Sequence, residues 1–298
     1  MQRYSKLDEI PRGSASEDLA DACLVLEGGA FRGLYTQGVL DAFMLCGLNF
    51  SCIVGVSAGA LSGMNYVAGQ IGRSARINLG FRHDSRYVGA RAFAHSHSLL
   101  DIGFLMEDRG VLEPFDHARF AESPQRFVAV ATNCLDGSVA YFEKGKCSDI
   151  YTAVRASATM PFISPAVMID GTPYLDGGCA CKIPYRWALD QGFRKIVVVK
   201  TQDASYRKPA EVNRAAFRVY RNRRAFAQKL AYSALDYNLQ CDDIEHLHAE
   251  GRLLRLAPST PVTVSRLESD VEKLGDLYWL GCADALDALD QIRAYIQA

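Results

Sequence analysis

Cys52-Ile-Val-Gly-Val56 runs directly into Ser57-Ala-Gly-Ala-Leu-Ser-Gly-Met64. The first five residues are apolar and suit a short buried strand, and the next eight are small enough to open a helix packed close against it. At the junction, Gly55-Val56-Ser57-Ala58-Gly59 fits the pattern G-x-S-x-G. In that pattern the serine sits on a tight strand-to-helix turn, and glycines flank it because side chains there would collide with the neighbouring strand and helix. The turn exposes the hydroxyl and sets it at a helix N-terminus, where the dipole favours developing negative charge. Five small residues alone are a weak signal, since a structural Gly-Ser turn uses the same letters. The strand before and the helix after favour a nucleophile at Ser57.

Upstream, Cys23-Leu-Val-Leu26 is a second apolar run, and it ends in Glu27-Gly28-Gly29-Ala30-Phe31-Arg32-Gly33. Residues 34–46 then carry Leu34, Val39, Leu40, Phe43 and Met44 at helical spacing. Three readings compete for the glycine turn. A dinucleotide fingerprint needs a glycine where Ala30 stands, and a phosphate loop needs a Gly-Lys-Ser/Thr that is absent. The third is an oxyanion hole, where backbone N–H groups converge unobstructed, each donor being worth about 3–4 kcal/mol. The serine elbow in the next strand-to-helix turn favours the third over a purely structural turn.

Downstream, a strand is expected from Arg126 to Thr132. Asp136-Gly137 forms a hairpin signal before Val139 to Phe142. Residues 149–158 read as a helix that stops before Met160-Pro161. Ala166 to Ile169 and Thr172 to Leu175 flank the turn Asp170-Gly171, residues 184–191 read as a helix closed by Gly192, and Lys195 to Lys200 is the clearest buried strand. Residues 209–250 and 266–296 read as helical, with a last strand near Leu253 to Leu256. Residues 70–120 lack clean periodicity and are expected to form short helices and loops over the site. Strands alternating with helices predict an α/β fold with a mostly parallel sheet. Three regions are expected: a flexible polar leader over 1–20, a catalytic domain over 21–205, and a helical C-terminal extension over 206–298 packed on the same domain. Asp176-Gly177-Gly178 follows the strand Thr172 to Leu175, so its carboxylate can point into a site. On local evidence an ordinary Asp-Gly turn stays open.

Four motifs stand in one order: Glu27-Gly-Gly-Ala-Phe-Arg-Gly33, Gly55-Val-Ser-Ala-Gly59, Ala156-Ser-Ala-Thr-Met-Pro161 and Asp176-Gly-Gly178. In this the chain resembles the patatin-like phospholipases. The resemblance implies a three-layer α/β/α fold and a Ser57–Asp176 catalytic dyad. It implies an oxyanion hole from Gly28, Gly29, Ala30 and Ala58, with Arg32, Gly33, Gly55, Gly59, Gly177 and Gly178 in support. Glu27 replaces the family's aspartate and Ala30 its third glycine, which shifts the weight of the hole to Gly28 and Gly29. The implied reaction is hydrolysis of a lipid ester through an acyl-enzyme, with neither a metal nor an organic cofactor.

A Ser-Asp-His triad would need a histidine after Asp176, and only His246 and His248 qualify. They lie in Cys241-Asp-Asp-Ile-Glu-His-Leu-His248, which reads as a solvated helix face. His95 and His97 are expected in the lid over the site, as structural or substrate-rim residues. A triad esterase or thioesterase, and a non-catalytic lipid- or nucleotide-binding module, are the alternatives.

The chain has 298 residues, 49% hydrophobic and 22% charged, with a net charge of −1. That composition fits a globular protein, and the balance argues against a nucleic-acid partner. Nine scattered cysteines without Cys-x-x-Cys spacing read as reduced, mostly buried thiols. No apolar run precedes Cys23 and none reaches the ~18 residues of a membrane span. A cytoplasmic enzyme is the expectation. The basic stretch from Arg207 to Lys229 has two readings, a solvated face and a face drawn to an anionic membrane surface.

Overall fold

The computed structural model describes residues 3–96, 101, 103–104 and 113–298. The chain runs β1 (Gly13–Ser14), β2 (Leu19–Leu26), α1 (Gly33–Leu45), β3 (Asn49–Val56), α2 (Ala58–Val67), β4 (Gln70–Ile71), α3 (Arg73–Phe81), α4 (Ala90–Ser96) and α5 (His117–Glu122). There follow β5 (Arg126–Asn133), β6 (Val139–Glu143), α6 (Ile150–Ser157), β7 (Val167–Ile169), β8 (Thr172–Asp176), α7 (Tyr185–Asp190) and β9 (Ile196–Val199). The last part holds α8 (Arg214–Val219), α9 (Arg224–Ala249), β10 (Leu254–Leu256), α10 (Val271–Asp287) and α11 (Leu289–Gln297).

The main sheet has the order β10-β9-β2-β3-β5-β8-β7, with β6 also on β5. From β10 to β5 all pairings are parallel, while β6, β7 and β8 pair antiparallel. The apolar runs form the parallel centre because strands covered on both faces need no polar alternation. Side chains alternate between two cores. Leu24, Leu26, Ile53, Phe127 and Val197 face one, with α1, α2 and α10. Cys23, Val25, Val54, Val128 and Val198 face the other, with α7 and α9. The result is the expected α/β/α sandwich.

One helix pair is unusually close. A Cβ on Gly38 of α1 would lie 2.0 Å from the Tyr278 carbonyl oxygen of α10, and one on Gly281 would lie 2.1 Å from that of Tyr35. Two glycines thus let the backbones touch, and hydrogen bonds flank the crossing: Tyr35 Oη to Asp284 at 3.1 Å and Tyr278 Oη to Asp41 at 2.9 Å.

Three expectations change. The leader is docked rather than flexible: Tyr4 and Ile10 are buried, β1 pairs with β4, and Trp279 donates to the Tyr4 hydroxyl. The basic stretch is not one helix. It divides into α8 and α9 around residues 220–223, with the Asn213 side chain capping α8. The C-terminal helical segment likewise breaks, between Asp287 and Leu289.

Candidate active site

Ser57 follows β3 and precedes α2, with φ 55° and ψ −121°. An L-residue with positive φ is strained by on the order of 1–3 kcal/mol, and such strain persists only where surroundings enforce it. Here they do. A Cβ on Gly55 would lie 2.6 Å from the backbone of Gly59, and one on Gly59 would lie 2.6 Å from the Leu26 carbonyl oxygen. The Ser57 N–H donates to the buried Ser157 hydroxyl at 2.9 Å. Ser157 lies within the Ala156–Pro161 segment, where the sequence offered no role for it beyond the family pattern.

Asp176 reaches Ser57 through sheet register. Val56 pairs with Val130, and Asp176 pairs with the next residue, Ala131. So β8 takes up the ladder where β3 leaves off, and the end of one strand meets the end of the other. Only glycine fits at 177, where a Cβ would lie 2.3 Å from the Val130 carbonyl oxygen. The Asp176 carboxylate accepts a hydrogen bond from the Gly178 N–H at 2.7 Å and shares its cleft with the Ser57 side chain. Its backbone is tied down by Thr159 and Thr132. With 6% exposure its carboxyl is pushed above the usual range by burial, against the pull of Ser57, Gly178 and the cations Arg266 and Lys182.

The glycine turn lies against this pair. A Cβ on Gly28 would sit 3.1 Å from the Val56 carbonyl oxygen and 3.2 Å from Ser57 Cβ, so Gly28 allows close approach. It does not supply a free donor as expected, because its N–H is given to the Lys182 carbonyl at 3.3 Å. Among the described residues the N–H groups of Gly29 and Ala30 have no acceptor, and that of Ala58 is a first-turn helix donor. Ala30 has φ 51°, a conformation usually left to glycine. Glu27 is buried and accepts from the Thr201 N–H at 2.7 Å, tying the turn to the end of β9. Gly33 lets α1 meet α2, since a Cβ there would come within 2.9 Å of Ala58. Arg32 is 8% exposed, and its Nε reaches only the Gly29 carbonyl, at 3.5 Å.

Ser57 lies between two spaces. One is a narrow, largely apolar space walled by Ala30, Leu61, Met64, Ile77, Tyr87 and Met160. The other is an open cleft where Ser57 and Asp176 face Arg32, Lys182, Lys208 and Arg266. No described histidine lines either space. His246 is largely exposed beside Glu250 at 3.2 Å, and His248 contacts the backbone of Leu253 and Arg255. His95 is exposed on α4, and His97 lies outside the described residues. Among the described residues no group of three or more His, Cys, Asp or Glu is placed to hold a metal, and no helix is long and apolar enough to cross a membrane.

A serine elbow at the carboxyl ends of parallel strands, with a carboxylate on the adjoining strand, defines a class of α/β protein that comparison makes specific. The family model of patatin-like phospholipase matches residues 24–189, and the chain belongs to that family. Membership supports a lipid acyl hydrolase. A second model, of a domain of unknown function, matches residues 223–297. The uncharacterized protein YjjU of Escherichia coli (strain K12) is 32% identical over 183 residues, covering 60% of this chain and 51% of its own. Lysophospholipase nte1 of Aspergillus terreus is 26% identical over 162 residues, covering 52% of this chain and 10% of its own. The chain therefore spans about half the length of the first relative and about a tenth of the second. The crystal structure of VipD from Legionella pneumophila aligns with a TM-score of 0.44 at 14% identity, over 93% of this chain and 68% of that one.

Proposed function

We propose that the chain is a serine lipid acyl hydrolase working through a Ser57–Asp176 dyad. The observation that carries this is Ser57, held in a strained strand-to-helix turn beside the buried Asp176 and lining an apolar space. Ser57 Oγ attacks the ester carbonyl while Asp176 takes its proton. The N–H groups of Gly29, Ala30 and Ala58 hold the oxyanion, and Gly28 serves by its missing side chain. Asp176 then protonates the leaving alcohol, and water attacks the acyl-enzyme by the reverse path. The apolar cavity takes the acyl chain. A carboxyl raised by burial is a stronger base than a solvated one, which suits an aspartate acting without imidazole. All nine cysteines are unpaired. Free thiols fit a reducing compartment, and we place the enzyme in the cytoplasm, meeting its substrate at a lipid surface.

The test uses a fluorophosphonate probe and a short p-nitrophenyl ester. Ser57→Ala should lose both labelling and hydrolysis with an unchanged circular dichroism spectrum. Asp176→Asn should lose about 10⁴-fold in turnover, as for other partners of a nucleophilic serine. Loss of activity on changing any one histidine would instead establish a triad.

A further inference from the structure

Four cations converge on the cleft beside Ser57 from four parts of the chain: Arg32 from the glycine turn, Lys182 after Asp176, Lys208 before α8 and Arg266 before α10. Some basic groups elsewhere have a carboxylate partner, as in Arg207 with Asp242 at 2.7 Å, Arg126 with Glu143 at 2.9 Å and Arg186 with Asp243 at 2.9 Å. Among the described residues none of the four cleft cations has a carboxylate within 4.0 Å; Lys182 Nζ binds the carbonyls of Gly178 and Ser233. Arg32 is nearly buried with a single long hydrogen bond. Lys208 stands 4.2 Å over the Tyr237 ring, and its ammonium is pushed down to about 7 by burial and then by Lys182, Arg266 and Arg32, with Glu27 pulling the other way. Like charges held together without counter-ions cost free energy, and a bound anion removes that cost. The acids on the cleft wall are Asp176, already engaged by the Gly178 N–H, and Glu211.

We infer that this cleft is a subsite for the phosphate of a net-anionic glycerophospholipid, held by Arg32, Lys182, Lys208 and Arg266 while the scissile ester lies at Ser57. The inference rests on the hydrolase reading for its orientation. Two guanidinium forks and two ammonium groups offer enough donors for a phosphate's several charged oxygens, which a single carboxylate would leave partly unused. A further cation on the headgroup, such as choline, meets a cleft that is already net positive and is disfavoured. A free phosphate shares the binding chemistry, so the source must be separated by experiment.

Two arms do this. Wild-type enzyme is assayed on 1-oleoylglycerol 3-phosphate, 1-oleoylglycerophosphocholine and 1-oleoylglycerol. The Ser57→Ala protein is titrated calorimetrically with the first and last of these and with inorganic phosphate. The expected result is a kcat/KM at least about tenfold higher for the phosphate monoester than for 1-oleoylglycerol, with the choline ester between them. The ratio should fall towards one in the double variant Lys208→Met, Arg266→Gln, and Ser57→Ala should bind the phosphate lipid more tightly than its neutral counterpart. If wild type cleaves all three alike, or the double variant keeps the ratio, the subsite is wrong while the hydrolase stands. Inorganic phosphate binding as tightly as the phosphate lipid would also overturn it, in favour of a free-anion site. Should no ester be cleaved, the hydrolase reading fails, and the calorimetric preference alone decides the subsite.

Discussion

Asp176 carries two opposed demands. To take a proton from Ser57 it must be ionised, yet burial favours its neutral form. Activity should therefore rise with pH through a limb centred above the usual carboxylate range, measured as kcat/KM on a soluble ester. Stability should move the other way. A carboxyl whose folded pKa is raised contributes fully below its unfolded pKa, and that contribution is lost as pH rises through the folded value. The neutral amide of Asp176→Asn escapes this, so its melting temperature should gain on wild type as pH rises above the usual carboxylate range. A constant gap over that rise would mean that Asp176 is not penalised by burial. Ser157 shows where residue-scale reading of the sequence stops. Its hydroxyl steadies the Ser57 N–H from another helix, and no spacing in the chain announces that meeting. Gly28 is the converse, a residue recognised for a donor that the fold directs to Lys182.

Among the elements, the crossing of α1 and α10 offers the sharpest test. Glycine to alanine in a helix normally gains about 1 kcal/mol in propensity. At Gly38 the added methyl would stand 2.0 Å from the Tyr278 carbonyl oxygen, and at Gly281 2.1 Å from that of Tyr35. Backbone cannot swing aside as a side chain can, so Gly38→Ala should lower stability by about 1–3 kcal/mol in urea denaturation, against its propensity. A stabilised variant would show that the helices separate at little cost. Much of the element level was legible: β3, β5 and β9 are apolar runs, β8 follows the turn Asp170-Gly171, and α2 follows from its small residues. The misses have physical causes. Asp21 and the alternation around it hid the start of β2, whose first residues are only half covered. Paired two-residue strands such as β1 and β4 carry no period to detect. In the basic stretch, charge spacing masked the break between α8 and α9, where Tyr220 turns to pack on Phe226 and its hydroxyl oxygen accepts from the Phe162 N–H at 2.8 Å.

At the scale of the molecule, residues beyond 205 complete the sandwich rather than decorate it. β10 extends the parallel sheet beside β9, α9 covers one face and α10 the other. Ending the chain at residue 205 would strip those covers and leave β9 as an open edge, so the truncated protein should fail to fold and should aggregate. A cooperative melt and probe labelling from the 1–205 fragment would refute this. The cationic cleft is likewise a property of the whole. Arg32, Lys182, Lys208 and Arg266 are scattered through the sequence, so no local charge run signals it.

The strand order also sets a schedule for the ribosome. The nucleophile and glycine turn emerge early, but the sheet places β2 between β3 and β9, and Glu27 fastens the turn to Thr201. Domains assemble as their segments are synthesised. Until Ile196–Val199 and Thr201 leave the exit tunnel, β2 has one neighbour and the glycine turn lacks its anchor. A nascent chain thus carries Ser57 well before the glycine turn beside it is fastened, and the site is assembled only after the strand Ile196–Val199 has followed.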